Sequence, residues 1–155
     1  MSPTLREDLK QRKPFPSLEQ EAHLNVVRTS ATLQDAIDER LKPYGISGTQ
    51  YNVLRILRGA EPVGLCRNEL RDRMVTRMPD VTRLLDRMEE AEFVVRTRDS
   101  EDRRLVLTRI TKQGRRLVDE LDAPIDELHK AQLGHLTKAQ LRTMIDLLTL
   151  TRAGG

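Results

Sequence analysis

Residues Pro79 to Arg104, PDVTRLLDRMEEAEFVVRTRDSEDRR, decide how this chain is read. Val81, Leu84, Leu85 and Met88 stand at i, i+3, i+4 and i+7, a spacing that predicts a short amphipathic helix with one apolar stripe over 79–91. Thr82, Arg83, Asp86, Arg87 and Glu90 fall on the other side. Pro79 is expected in the first helical turn, where its missing N–H would be unpaired anyway. Two β-branched runs follow, separated by the polar turn sequence Asp99-Ser100-Glu101-Asp102, which predicts a two-stranded hairpin. A helix with an arginine-bearing outer face followed at once by a charged hairpin is the layout of a winged helix-turn-helix. The competing reading is a solvated helix face beside an ordinary surface hairpin.

The rest of the chain frames this unit with helices. Residues 1–16 carry three prolines and scattered charge and read as an irregular arm. Ser17-Leu18-Glu19-Gln20 fits a capping box opening a long helix to about Leu41, with Leu24, Val27, Ala31, Leu33, Ile37 and Leu41 as a broad apolar stripe. Lys42-Pro43-Tyr44-Gly45 ends it. A second capping box, Ser47 to Gln50, opens a helix that buries Tyr51, Leu54 and Leu57 and stops at Gly59. Beyond a loop with a short strand at Val63, a brief helix is expected over 65–74, placing Cys66, Leu70 and Met74 on one core-facing stripe. After the hairpin, Thr111 caps a long helix in which Leu117, Leu121, Ile125 and Leu128 recur and Pro124 predicts a kink. A break near Gly134 precedes a third capping box, Thr137 to Gln140, and a last helix carrying Leu141, Met144, Ile145 and Leu148.

The expected fold is therefore mainly α: a winged helix-turn-helix with a two-stranded wing, flanked by N- and C-terminal dimerisation helices. The arm at 1–16, a helix at 17–46, a winged lobe at 47–110 and helices at 111–155 form one structural domain. The outer helices carry more apolar surface than the small central lobe can cover, which points to a subunit interface.

Composition narrows the function. The 155 residues are 37% hydrophobic and 33% charged, with a net charge of +3. No apolar run approaches the roughly 20 residues that span a bilayer, and the N-terminus lacks the apolar core of a secretory signal. A single cysteine excludes an intrachain disulfide framework, so a cytoplasmic location is expected. Between Cys66 and Ile110 there are 11 arginines, no lysine and 10 acids. Arginine's planar fork suits phosphates and guanine edges. Because the acids nearly cancel the field, DNA binding must come from where individual arginines stand.

At the wing, Asp102-Arg103-Arg104 followed by Ile110-Thr111 and Gly114 resembles the signature of MarR-type transcriptional regulators. There an Asp-x-Arg is followed, eight and nine positions after the Asp, by an apolar-Thr pair and then a glycine. Val81-Thr82-Arg83-Leu84 is similar to that family's recognition helix, and the order of elements agrees over nearly all of the chain after Ser17. The resemblance implies a homodimer on double-stranded DNA at a near-palindromic operator, each recognition helix in a major groove and each wing in the adjacent minor groove. It implies a repressor released by a small effector, in many relatives an aromatic or phenolic acid held between the dimer helices and the DNA-binding lobe.

On this basis the DNA-binding candidates are Arg77, Thr82, Arg83, Arg87, Asp102 and Arg104, with Asp102 holding the Arg104 side chain through a charge-assisted hydrogen bond. Two departures stand out. Glu92 occupies a position where the family usually has glycine, and a left-handed residue there would cost on the order of 1 kcal/mol. Asp80 could serve the helix dipole, repel phosphate or accept from a cytosine amino group. His23, His129 and His135 include no i, i+4 pair, so no metal and no cofactor is expected. Cys66 reads as a small core hydrophobe rather than a redox sensor. No catalytic constellation is present, and an enzyme is not expected. The rival function is a winged-helix module that binds only proteins and leaves the wing-tip Arg104 without a role.

Overall fold

The computed structural model describes residues 3–154. Its elements are α1 (Leu5–Asp8), α2 (Leu18–Leu41), a 3-10 turn (Lys42–Tyr44), α3 (Gly48–Gly59), β1 (Leu65–Cys66), α4 (Arg67–Arg73), α5 (Val81–Glu90), β2 (Val94–Arg98), β3 (Val106–Ile110), α6 (Lys112–Leu133) and α7 (Lys138–Ala153). The mainly helical winged fold expected from the sequence is the fold observed. The arm is less irregular than expected, because Thr4 and Glu7 form a capping box around the one-turn α1. Met1, Ser2 and Gly155, the ends of the expected arm and C-terminal segment, lie outside the described residues.

Local signals set most helix starts. Ser47 and Thr137 form full capping boxes with Gln50 and Gln140. Ser17 accepts from the Gln20 N–H, the half of its expected box that forms. Gly45, at φ 73°, ends the turn after α2 in the left-handed region that favours glycine. Helix α6 continues through Pro124 to Leu133, with Gly134 as its C-cap.

Three expectations are corrected. Pro79 lies outside α5, because Asp80 is its N-cap, accepting from the Arg83 N–H at 3.0 Å. That bond satisfies one of the free donors of the first turn, and it settles the structural role of Asp80. The wing hairpin gains a third strand, in the order β1-β3-β2. This strand lies two residues beyond Val63: Leu65 pairs with Thr108 and Cys66 with Leu107. Helix α4 therefore begins only at Arg67, and Cys66 does not share a helical stripe with Leu70 and Met74. The open edge of β3 offers backbone partners that local periodicity cannot reveal.

The core joins α3, α4, α5, the sheet and the first half of α6. Val53, Leu54, Leu57, Leu70, Met88, Val118 and Leu121 are fully enclosed, and the expected α5 stripe, Val81, Leu84, Leu85 and Met88, is buried throughout. Tyr51 donates to Asp122 Oδ1 at 2.9 Å, and Arg58 reaches Asp119 and Asp122 at 2.7 and 2.6 Å. These bonds tie α3 to α6. Burial and the bond to Asp122 push the Tyr51 hydroxyl up to about 12, so it remains a donor at neutral pH.

The signature at the base of the wing now has a physical account. Glu92 does adopt the left-handed conformation, at φ 64°. It sits in a 6→1 and 5→2 pair of bonds, Phe93 N–H to Met88 O and Glu92 N–H to Glu89 O, that closes α5. Thr111 Oγ1 donates to the Glu92 carbonyl at 2.6 Å and accepts from the Gly114 N–H at 3.0 Å. A side chain at Gly114 would strike the Phe93 carbonyl and Ile110, so only glycine lets α6 approach here. Ile110, Thr111 and Gly114 therefore lock the wing to the end of α5, offsetting the strain at Glu92.

Candidate nucleic-acid interface

Helix α5 buries one face and exposes the other. Arg83 and Arg87 stand exposed one turn apart on the outer face, and Arg77 is exposed in the turn that leads into the helix. Arg77 lines a separate groove with Arg71, Asp72, Met78 and Pro79. On the other side of α5, a cleft of about 370 Å³ between the helix and the wing brings Thr82 and Arg104 together with Arg67, Arg96 and Cys66. Arg77, Arg83, Arg87 and Arg104 are thus exposed in the turn before α5, on its outer face and at the wing tip.

Two candidates behave differently from expectation. Thr82 Oγ1 accepts from Arg67 at 3.0 Å, which joins α4 to α5 and leaves the hydroxyl proton for one further bond. Asp102 Oδ1 accepts from the backbone N–H of Arg104 at 3.0 Å, not from its guanidinium. A spacing of two residues puts an aspartate carboxylate over the chain's own N–H, an Asx turn. Asp102 therefore shapes the wing tip, and the exposed Arg104 side chain is left to face outward. Arg98, donating to the Arg103 carbonyl at 2.8 Å, braces the same tip.

Five of the ten acids are engaged in local contacts rather than left facing the exposed arginines. Asp80 caps α5, Asp102 folds the wing tip, and Glu69 accepts from the Cys66 N–H at 2.9 Å. Asp86 and Glu89, on α5 itself, are both held by Arg96 of β2, at 2.6 and 3.0 Å, and Glu89 also accepts the Arg96 N–H at 2.8 Å. Those bonds hold the Glu89 carboxyl below the usual carboxylate range. Among the described residues no ion pair within 4 Å engages Arg77, Arg83, Arg87 or Arg104. Local placement leaves these four cations available where the bulk charge does not.

Sequence reasoning missed Arg67 and Arg96, the two cations that position the site. For Arg96 a signal existed. Strand alternation places it two residues after the buried Val94, on the inward face beneath α5. For Arg67 no local pattern identifies Thr82 as its partner.

A second cleft, of about 170 Å³, separates this lobe from the outer helices. It is lined by Gln34 and Ile37 of α2, Tyr51, Asn52 and Arg55 of α3, Val75 and Thr76, and Ile125 and His129 of α6. Beyond it, α7 buries no residue, and Ile145, Leu147 and Leu150 are 59%, 59% and 68% exposed. No helix among the described residues is long and apolar enough to cross a membrane.

The family model for MarR matches residues 46–106, the lobe that carries this interface. The chain is 32% identical over 111 residues to the HTH-type transcriptional regulator PrsX of Escherichia coli, covering 72% of this chain and 67% of that protein. A crystal structure of a MarR transcription factor from Planctomyces limnophilus superposes with a TM-score of 0.67 at 38% identity, covering 88% of this chain and 99% of the other. CouR of Rhodococcus jostii RHA1, solved with p-coumaroyl-CoA bound, superposes with a TM-score of 0.71 at 28% identity over 86% and 93% of the two chains. With the exposed arginines of α5 and the clamp at the wing base, these likenesses place the protein: it belongs to the MarR family of winged helix-turn-helix, DNA-binding transcriptional regulators.

Proposed function

We propose that the protein is a homodimeric, cytoplasmic repressor that reads a near-palindromic operator and releases it when a small aromatic or phenolic acid enters the cleft between α2, α3 and α6. It acts by binding and carries no catalysis of its own. The observation that carries this reading is the sorting of charge on the lobe. Asp80, Asp86, Glu89 and Asp102 are held in caps, turns and ion pairs, whereas Arg77, Arg83, Arg87 and Arg104 are exposed and outside the ion pairs of the described residues. Arg83 and Arg87 would enter a major groove with α5. Arg104 would reach a neighbouring minor groove, whose narrow width concentrates negative potential. A module that binds only proteins would leave the wing-tip Arg104 without a role.

The bare faces of α2 and α7 support the dimer, since isolated helices with exposed leucines gain little from local propensity alone. The arm and segments 17–46 and 111–155 would then serve assembly, and 47–110 would serve recognition. The second cleft supports an effector of single-ring size, because a cavity of roughly 150 Å³ accommodates benzene. Ile37, Tyr51 and Ile125 offer apolar walls and Arg55 a cation for a carboxylate. CouR, with its bound aromatic acyl thioester, is the relative that favours this chemistry.

The test is binding to the DNA upstream of the protein's own gene, titrated across salt. One dimer per near-palindrome, tight against a non-specific duplex and steeply salt-dependent, is the expected result. Sequence-blind binding there, and in a genome-wide selection of bound fragments, overturns the reading in favour of the protein-binding module.

A further inference from the structure

Where α5 sits depends on the turn that precedes it, residues 74–80. Met74 anchors one end in the core and Asp80 caps the other, whereas Val75, Thr76 and Arg77 between them are exposed. Among the described residues, one hydrogen bond reaches this turn from outside α4 and α5. The Val75 N–H donates to Asn52 Oδ1 of α3 at 3.0 Å. Helix α3 is in turn fixed to the outer helices, through Asp38 on the Gly48 N–H at 2.7 Å and through Tyr51 and Arg58 on α6. A chain of polar contacts therefore runs from α2 and α6, through Asn52, to the start of α5. Both ends of the Asn52–Val75 bond also line the second cleft, where the Val75 side chain is 85% exposed.

We propose that Asn52 is the positioning residue of the DNA-facing helix: through Val75 it fixes the register of the turn before α5, and so the orientation that specific DNA requires. This rests on the operator-binding reading above and adds the residue that makes the cleft wall and the DNA-facing helix one mechanical unit. Specific binding needs α5 at a defined angle, whereas phosphate attraction tolerates misplacement. Loss of the anchor should thus lower the specific affinity and leave the non-specific affinity alone.

The experiment compares wild type, Asn52→Ala and Asn52→Asp as full-length protein. One arm measures affinity for a selected operator and for a scrambled duplex. The other measures amide hydrogen exchange of residues 75–80 without DNA. Asn52→Ala is expected to lose about three- to tenfold in operator affinity, the worth of one net hydrogen bond. Its scrambled-duplex affinity should stay the same, and the Val75 amide should exchange faster. Asn52→Asp, which keeps an acceptor, should restore protection and stay within about twofold of wild type. Unchanged exchange at Val75 in Asn52→Ala overturns the proposal whether or not an operator is found. An equal fall on both duplexes also overturns it, since general destabilisation does that. Failure of wild type to select any DNA while exchange responds as expected refutes the operator reading and, with it, this role in recognition.

Discussion

In the winged lobe Val53, Leu54, Leu57, Leu70 and Met88 are wholly enclosed; across the 24 residues of α2 and the 16 of α7, Leu41 is the one buried side chain. The polar groups differ in the same way. On the lobe, Asp80 serves a cap and Asp86 and Glu89 pair with Arg96 across elements, whereas Lys130–Asp126 in the far half of α6 is an exposed pair one turn apart, worth little. Helix α6 spans both conditions. Val118, Leu121 and Ile125 are sealed against the lobe, and nothing beyond Ile125 in that helix is buried. The lobe shares one core with the end of α2 and the first half of α6, whereas the rest of the outer helices carry apolar faces that one chain leaves open. One chain can therefore pack tightly in one region and leave apolar faces exposed in another.

The largest effect should come from the open faces. Replacing Leu147 and Leu150 together by aspartate removes two apolar contacts, each worth about 1.5–3 kcal/mol when buried, so dimer affinity should fall more than about a hundredfold. Sedimentation should show a monomer. An unchanged dimer would mean that these faces are not the interface. On the lobe, Arg96→Met frees Asp86 and Glu89 and should cost about 1–2 kcal/mol by urea denaturation.

That substitution also has a pH signature. Because Glu89 is held below its ordinary value of 4.5 in the folded state, its contribution is present above about pH 4.5. It is lost as the pH falls through the lowered value. With the side chain 39% exposed, solvent screening limits this part to under about 1 kcal/mol. Arg96→Met should flatten the loss of stability on acidification, and an identical acid profile in both proteins would show that the pair contributes nothing.

Arg104→Ala probes the wing without touching the core. Operator affinity should fall about five- to tenfold and the salt slope by about one, at unchanged thermal stability. A normal slope would move the wing contact to Arg103. The smallest effect is expected for Cys66→Ser. Serine keeps the capping geometry with Glu69, so stability should stay within about 1 kcal/mol and operator affinity should not change. A loss of peroxide response in that variant, with DNA binding intact, would reveal a redox role for a thiol that lies in the cleft rather than in the core.

What the sequence determined by itself was whatever depends on neighbours three or four residues apart. The apolar stripe of α5 and the capping boxes of α3 and α7 were legible because their partners lie within one helical turn. The wing signature was legible as a pattern, but its meaning was not. Thr111 and Gly114 proved to clamp Glu92 and Phe93, some twenty residues away. Tertiary structure alone decided that Cys66 pairs in a strand, that Asp102 folds the chain instead of steering Arg104, and that Arg96 and Arg67 hold α5 in place. Each of those outcomes depends on which distant backbone or side chain offers the missing donor or acceptor. That choice is made only when strand register and helix packing bring the two together, which is why local periodicity, however clear, carries no trace of it.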